Sequence, residues 1–170
     1  MENRRDALIC FVLVLSKLPK FTPDMQIPNP SIYGKILSDS RSRIYLNRIE
    51  NKWCYSILGD IIGYWPAKLF PLFGNVCAER IYWGGNSRES EDGHDPQMGS
   101  GHFPLEYGYG KHGSYFTSMQ YYNTSGFLLD PIEKLMTKVL DCKTNYDVEY
   151  FVFVEEVGHS LQYGGPGGKC

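Results

Sequence analysis

SYFTSMQYY, residues 114–122, places Tyr115, Thr117, Met119 and Tyr121 on one side of an extended chain and Phe116, Ser118, Gln120 and Tyr122 on the other. That period of two predicts a strand with usable faces on both sides. Further along the chain, VEYFVFVEEV and HSLQYGG read as two more strands parted by Gly158. Towards the amino terminus, WCYSILGDIIGYWP is apolar and aromatic and is closed by Gly63 and Pro66, while VCAERIYWGG is stopped by Gly84-Gly85. The expected strands are therefore 53–62, 76–83, 114–122, 147–155 and 159–163. One segment reads differently. In DPIEKLMTKVL the apolar residues Ile132, Leu135, Met136, Val139 and Leu140 recur at helical spacing, with Asp130 as N-cap, Pro131 in the first turn and Glu133 as capping partner. This pattern predicts a short helix near 131–140.

Composition points to the same class. Thirteen tyrosines, 18 glycines and 10 prolines in 170 residues favour short strands and tight turns over long helices, so the expected architecture is all-β. A chain of this length with 42% hydrophobic residues can bury one core and is most simply a single domain. With 17 basic against 19 acidic side chains the net charge is only -2, which gives no electrostatic footprint for nucleic acid or an anionic membrane. Residues 17–42 are rich in Pro, Ser and Asp and read as an extended, irregular lead-in.

The amino terminus, MENRRDALICFVLVLSKLPKF, carries two arginines and then a short apolar run ending near Ser16. Residues 1–16 read as a secretory signal peptide, too short to span a bilayer. Cys10 would leave with it, and Cys54, Cys77, Cys142 and Cys170 would remain, an even number that an oxidising compartment could pair. Asn123-Thr124-Ser125 is a glycosylation sequon, whereas Pro30 spoils Asn29-Pro30-Ser31.

Several chemical motifs fail on spacing. Gly108-Tyr109-Gly110-Lys111-His112-Gly113 matches the glycine pattern of dinucleotide folds, but a strand follows it where those folds need a helix N-terminus to hold the pyrophosphate. Gly99-Ser100-Gly101 lacks the spacing of a nucleophile elbow. His94, Asp95 and His102 lack the tight pairing of zinc ligands and read as loop residues. No cofactor or metal is therefore expected. Paired carboxylates are a better prospect, because two with separated pKa values can activate a water and protonate a leaving group. Glu79, Glu89, Glu91, Asp92 and Asp95 cluster around the Trp-Gly-Gly turn, although each alone reads as a solvated charge.

YWP at 64–66, IYWGG at 81–85, QMGSGHFP at 97–104, YGKHGSYF at 109–116 and YGGPG at 163–167, in this order, resemble the neprosin family. A weaker match is Asn29-Pro30-Ser31-Ile32-Tyr33-Gly34 with Arg43 downstream. The resemblance covers 51–170 most closely, with 17–50 as a less similar lead-in. It implies a secreted plant protein of antiparallel β-sandwich fold and a glutamic peptidase directed at proline-containing peptides. It also implies that the glycine-rich loop at 97–104 is scaffold, with Gly99 and Gly101 taking a backbone path closed to other residues.

The catalytic pair implied by the family is not matched. One glutamate should follow the Trp-Gly-Gly directly; Asn86 stands there, or the glutamate and the next two residues are absent, and either way the carboxylate is missing. The other should lie near Thr22 and Pro23, where Asp24 is the nearest acid. An amide cannot cycle a proton near neutral pH. A one-residue offset on a strand would turn Asp24 to the opposite face. Between Tyr45 and Asn51 the family carries a much longer stretch with strands and a cysteine-paired loop, so the sandwich here should be incomplete. Cys142 and Cys170 match the family's terminal cysteine pair, which implies a disulfide between them; Cys54 and Cys77 have no family counterpart and read as buried thiols. Three functions follow: an inactive neprosin-like protein; an active prolyl endopeptidase in which Glu89 or Glu91 supplies the missing carboxylate; or a non-catalytic module binding peptide or carbohydrate through exposed Trp83, Tyr107, Tyr109 and Tyr115.

Overall fold

Hydrogen bonding between short strands organises the chain. The computed structural model describes residues 31–32, 34–35, 38–71, 78–106 and 112–170, and the chain parts into two compact units between Tyr82 and Trp83. The signal-peptide segment, Thr22, Pro23, Asp24 and Cys77 lie outside the described residues.

In the first unit, β1 (Ser42–Asn47), β2 (Lys52–Ile57) and β3 (Asp60–Pro66) form an antiparallel sheet in sequence order. The stretch expected as one strand at 53–62 is instead two strands of a hairpin. Leu58 and Gly59 both take positive φ, 52° and 93°, and together turn the chain inside two residues. β1 falls partly in the segment read as irregular. The span between Tyr45 and Asn51, where the family's longer stretch would stand, is a tight turn. Asn47 Oδ1 accepts the amides of Ile49 and Glu50, each at 3.1 Å, and Asn47 Nδ2 donates to Glu50 Oε2 at 2.7 Å. An asparagine side chain that mimics backbone in this way lets two strands join directly. Cys54, Ile62 and Trp65 are buried on this sheet, and Cys54 is a free thiol.

The second unit holds a sheet in the order β4 (Ser114–Phe116), β8 (Gly158–Gly164), β7 (Asp147–Val154), all antiparallel. A two-stranded ribbon of β5 (Tyr121–Tyr122) and β6 (Leu128–Leu129) follows β4 in the chain. The fold is thus all-β with antiparallel pairing, as expected. The segment 114–122 does not run as one strand, because Ser118 takes a φ of 51° and the chain breaks between β4 and β5. Ser118 and Met119 still donate their amides to Val157 O and His159 O, at 2.7 and 2.9 Å, and Met119 is buried. Residues 78–83 form no strand.

The helix expected at 131–140 shrinks to one 3-10 turn, Glu133–Leu135. Asp130 does not cap it; its carboxylate accepts Gln120 Nε2 at 3.0 Å. Ile132, Leu135 and Val139 stay exposed, so the helical stripe has no surface to bury against. Without burial a single short amphipathic helix is not worth its nucleation cost.

Candidate functional site

Three motifs far apart in sequence meet in the second unit. A Cβ on Gly85 would run into Met98 Sδ and lie 2.8 Å from Tyr163 Cε2, so the Trp-Gly-Gly turn, the QMGSG loop and the YGGPG stretch pack on one another. Backbone bonds tie the last two together. Met98 N donates to Gly165 O at 3.0 Å, Gly165 N to Met98 O at 3.3 Å, Asp95 N to Gly168 O at 2.8 Å and Gly168 N to Asp95 O at 3.0 Å. The segment after β8 is therefore a short brace along the 95–98 loop. Gly99 and Gly101 take φ of 65° and 81°, as the scaffold reading of this loop requires.

Side chains complete the junction. Tyr146 is buried, donates its hydroxyl to Pro96 O at 2.6 Å and accepts Ser87 Oγ at 3.2 Å, linking the residues after Trp-Gly-Gly to the loop. Tyr163 stacks on Phe116 with ring centroids 5.5 Å apart, and burial pushes its phenol pKa up. The disulfide joins Cys142 and Cys170 with Cα atoms 5.7 Å apart and fixes the end of the brace, the pairing implied by the family. Replacing Tyr146 by Phe removes both hydroxyl bonds and should lower stability by about 1–2 kcal/mol. Urea unfolding measures the loss, and faster amide exchange at Met98 and Gly165 would place it at the junction.

The expected catalytic positions sit on the rim of this junction. Asn86 is exposed beside Gly85. Glu89 and Glu91 are exposed as well, and Glu89 Oε1 lies over Gly93, 3.5 Å from where a Cβ would stand. Next to them, 90–94 form a closed turn. Ser90 Oγ donates to Asp92 Oδ1 at 2.6 Å, and His94 N donates to the same oxygen at 3.2 Å. The hydroxyl bond first, then the amide, holds the Asp92 carboxyl below the usual range. His94 Nδ1 faces Asp92 Oδ2 at 3.4 Å, while His102 Nδ1 faces Glu106 Oε2 at 3.1 Å, so the two histidines turn to different carboxylates. Among the described residues no group of three or more His, Cys, Asp or Glu could hold a metal ion.

Sequence reasoning passed over Glu106 and Gln162. Glu106 Oε2 also accepts the amide of Phe103 at 3.1 Å. The carboxylate thus closes a turn and orients His102. Gln162 is fully buried and accepts Leu105 N through Oε1 at 3.2 Å, while its Nε2 has no partner among the described residues. A polar residue in the strand HSLQYGG was the available signal, but only the fold brings it under the 102–106 turn. Of the aromatics expected to be exposed, Trp83 and Tyr115 are half-buried, and Tyr107 and Tyr109 lie outside the described residues. Asn123 sits in the β5–β6 turn, where its Oδ1 accepts the amides of Ser125 and Phe127 at 3.0 and 2.8 Å.

The junction gathers the motifs that carry the family resemblance, and the family model described as Neprosin matches residues 8–166. The chain belongs to the neprosin family. The matched span begins inside the segment read as a signal peptide and ends within the YGGPG brace, so it includes both units. Among the described residues no helix is long and apolar enough to cross a membrane. In this neprosin-family chain the retained motifs build the scaffold, and the position after Trp-Gly-Gly presents an amide to solvent.

Proposed function

We propose that this neprosin-family protein is secreted and does not turn over peptides. The observation that carries the reading is Asn86. The resemblance implies a catalytic glutamate directly after Trp-Gly-Gly, and general acid-base cleavage needs two positioned carboxyl groups. An exposed amide at that place supplies neither a base nor an acid. Further support comes from Glu89 and Glu91, which stand in solvent, and from Asp92, which is engaged with Ser90 and His94. The disulfide is consistent with an oxidising compartment.

The test is hydrolysis of an internally quenched, proline-containing peptide at acidic pH by the full chain. No cleavage above the buffer rate is expected, and Asn86→Glu alone should not create it, since the upstream partner is still missing. Cleavage by the unaltered protein that disappears in Glu89→Gln or Glu91→Gln would overturn the proposal in favour of an active peptidase with a displaced glutamate.

A further inference from the structure

The end of the β7–β8 hairpin carries a surface apart from the motif junction. His159, at the start of β8, lies between two aromatic side chains of β7. Tyr150 stacks on it with ring centroids 6.3 Å apart and planes 16° from parallel, and Phe153 meets it edge-on at 6.0 Å and 76°. The Tyr150 hydroxyl and His159 Nδ1 are 2.8 Å apart, which fixes the imidazole against the phenol. Phe153 is 68% exposed and Tyr150 and His159 are half-buried, so the cluster is open to solvent on its Phe153 side.

Acidic side chains flank these rings. Glu155 and Glu156 sit exposed in the turn that joins β7 to β8. Asp130 and Glu133, approaching from the segment after β6, act on Tyr150 and, after burial, raise its pKa. Lys138 is engaged elsewhere, 2.6 Å from Asp147 and 3.2 Å from Glu149. Aromatic faces attract a cation through their quadrupole, and a guanidinium adds planar stacking and forked donors for carboxylates.

We propose that this hairpin end is a recognition surface for an arginine side chain presented by an extended peptide. The guanidinium lies on the Tyr150, Phe153 and His159 rings and donates to the surrounding carboxylates. Charge complementarity selects this occupant over a second copy of the chain, which would set Glu155 and Glu156 against their own kind. The surface stands four residues along β8 from Tyr163 and does not depend on whether the motif junction is catalytic.

The test uses the full chain and two labelled octapeptides, Gly-Ser repeats carrying two arginines or two glutamines, followed by fluorescence anisotropy at neutral pH. The arginine peptide should bind at least about fivefold more tightly than the glutamine peptide. Phe153→Ala and Glu133→Gln should each weaken it about threefold. Both residues are exposed, so thermal midpoints should match the parent. In NMR spectra the ring protons of His159 should move with the arginine peptide and stay still with the other. Equal affinity for the two peptides, no binding at millimolar peptide, or undiminished binding by Phe153→Ala overturns the proposal.

Discussion

Gly165→Ala should destabilise the second unit by about 3 kcal/mol or more, a large fraction of what a small domain has. A Cβ there would run into the carbonyl oxygen of Asn145 and lie 2.9 Å from both Asn145 C and Tyr146 Cα. These are backbone atoms of the turn after Cys142, so no rotamer change relieves the clash. The brace must move away, and the paired bonds between Gly165 and Met98 go with it. Two lost hydrogen bonds at about 1 kcal/mol each, together with a φ of 155° that a side chain resists, give the expected size. Chemical denaturation measures it. With a mild reductant present, the Cys142–Cys170 bond should also be reduced and alkylated faster in the variant, because the displaced brace ends in Cys170. A variant with the parent's unfolding midpoint and the parent's rate of disulfide reduction would refute the claim that the brace sits tightly on this turn.

The β7–β8 hairpin was legible because two physical signals agree there: a run of β-branched and aromatic residues along VEYFVFV and a glycine at the turn. Its observed bounds, Asp147–Val154 and Gly158–Gly164, fall within one residue of the expected ones. The hairpin at 52–66 was missed because its turn uses Leu58, a residue that rarely adopts positive φ, in front of Gly59. The helix at 131–140 was overread for a complementary reason. Periodicity records which residues could share a face, and the fold leaves that face without a partner.

The site was legible in a similar, partial way. Each motif could be found in the sequence, but motifs at 83–85, 97–104 and 163–167 give no hint that Gly85 touches both Met98 and Tyr163. Nothing in the sequence singled out Glu106. Its pairing with His102 depends on a turn in which Leu105 takes a φ of 62°, which no local pattern announces. The vacancy after Trp-Gly-Gly, in contrast, is a property of sequence alone, and the fold adds only that Asn86 faces solvent.

Removing the disulfide with the double variant Cys142→Ser, Cys170→Ser should lower stability by about 3–4 kcal/mol, the loop-closure entropy expected for a separation of 28 residues. The double variant is the right one, since a single substitution would leave a reactive partner. The bond does more here than shorten the unfolded chain. Cys142 O accepts the amides of Asn145 and Tyr146, at 3.3 and 3.0 Å, so the cysteine is anchored in the same turn that seats the brace. Cutting the link releases the brace at Cys170, next to the paired bonds between Asp95 and Gly168. Amide exchange should therefore speed up first at Asp95 and Gly168, then at Met98 and Gly165. The amides of β2 and β3, in the other unit, should keep their protection. Uniform acceleration across both units would mean that the chain unfolds as one body, and the division at Tyr82 would then have no energetic counterpart.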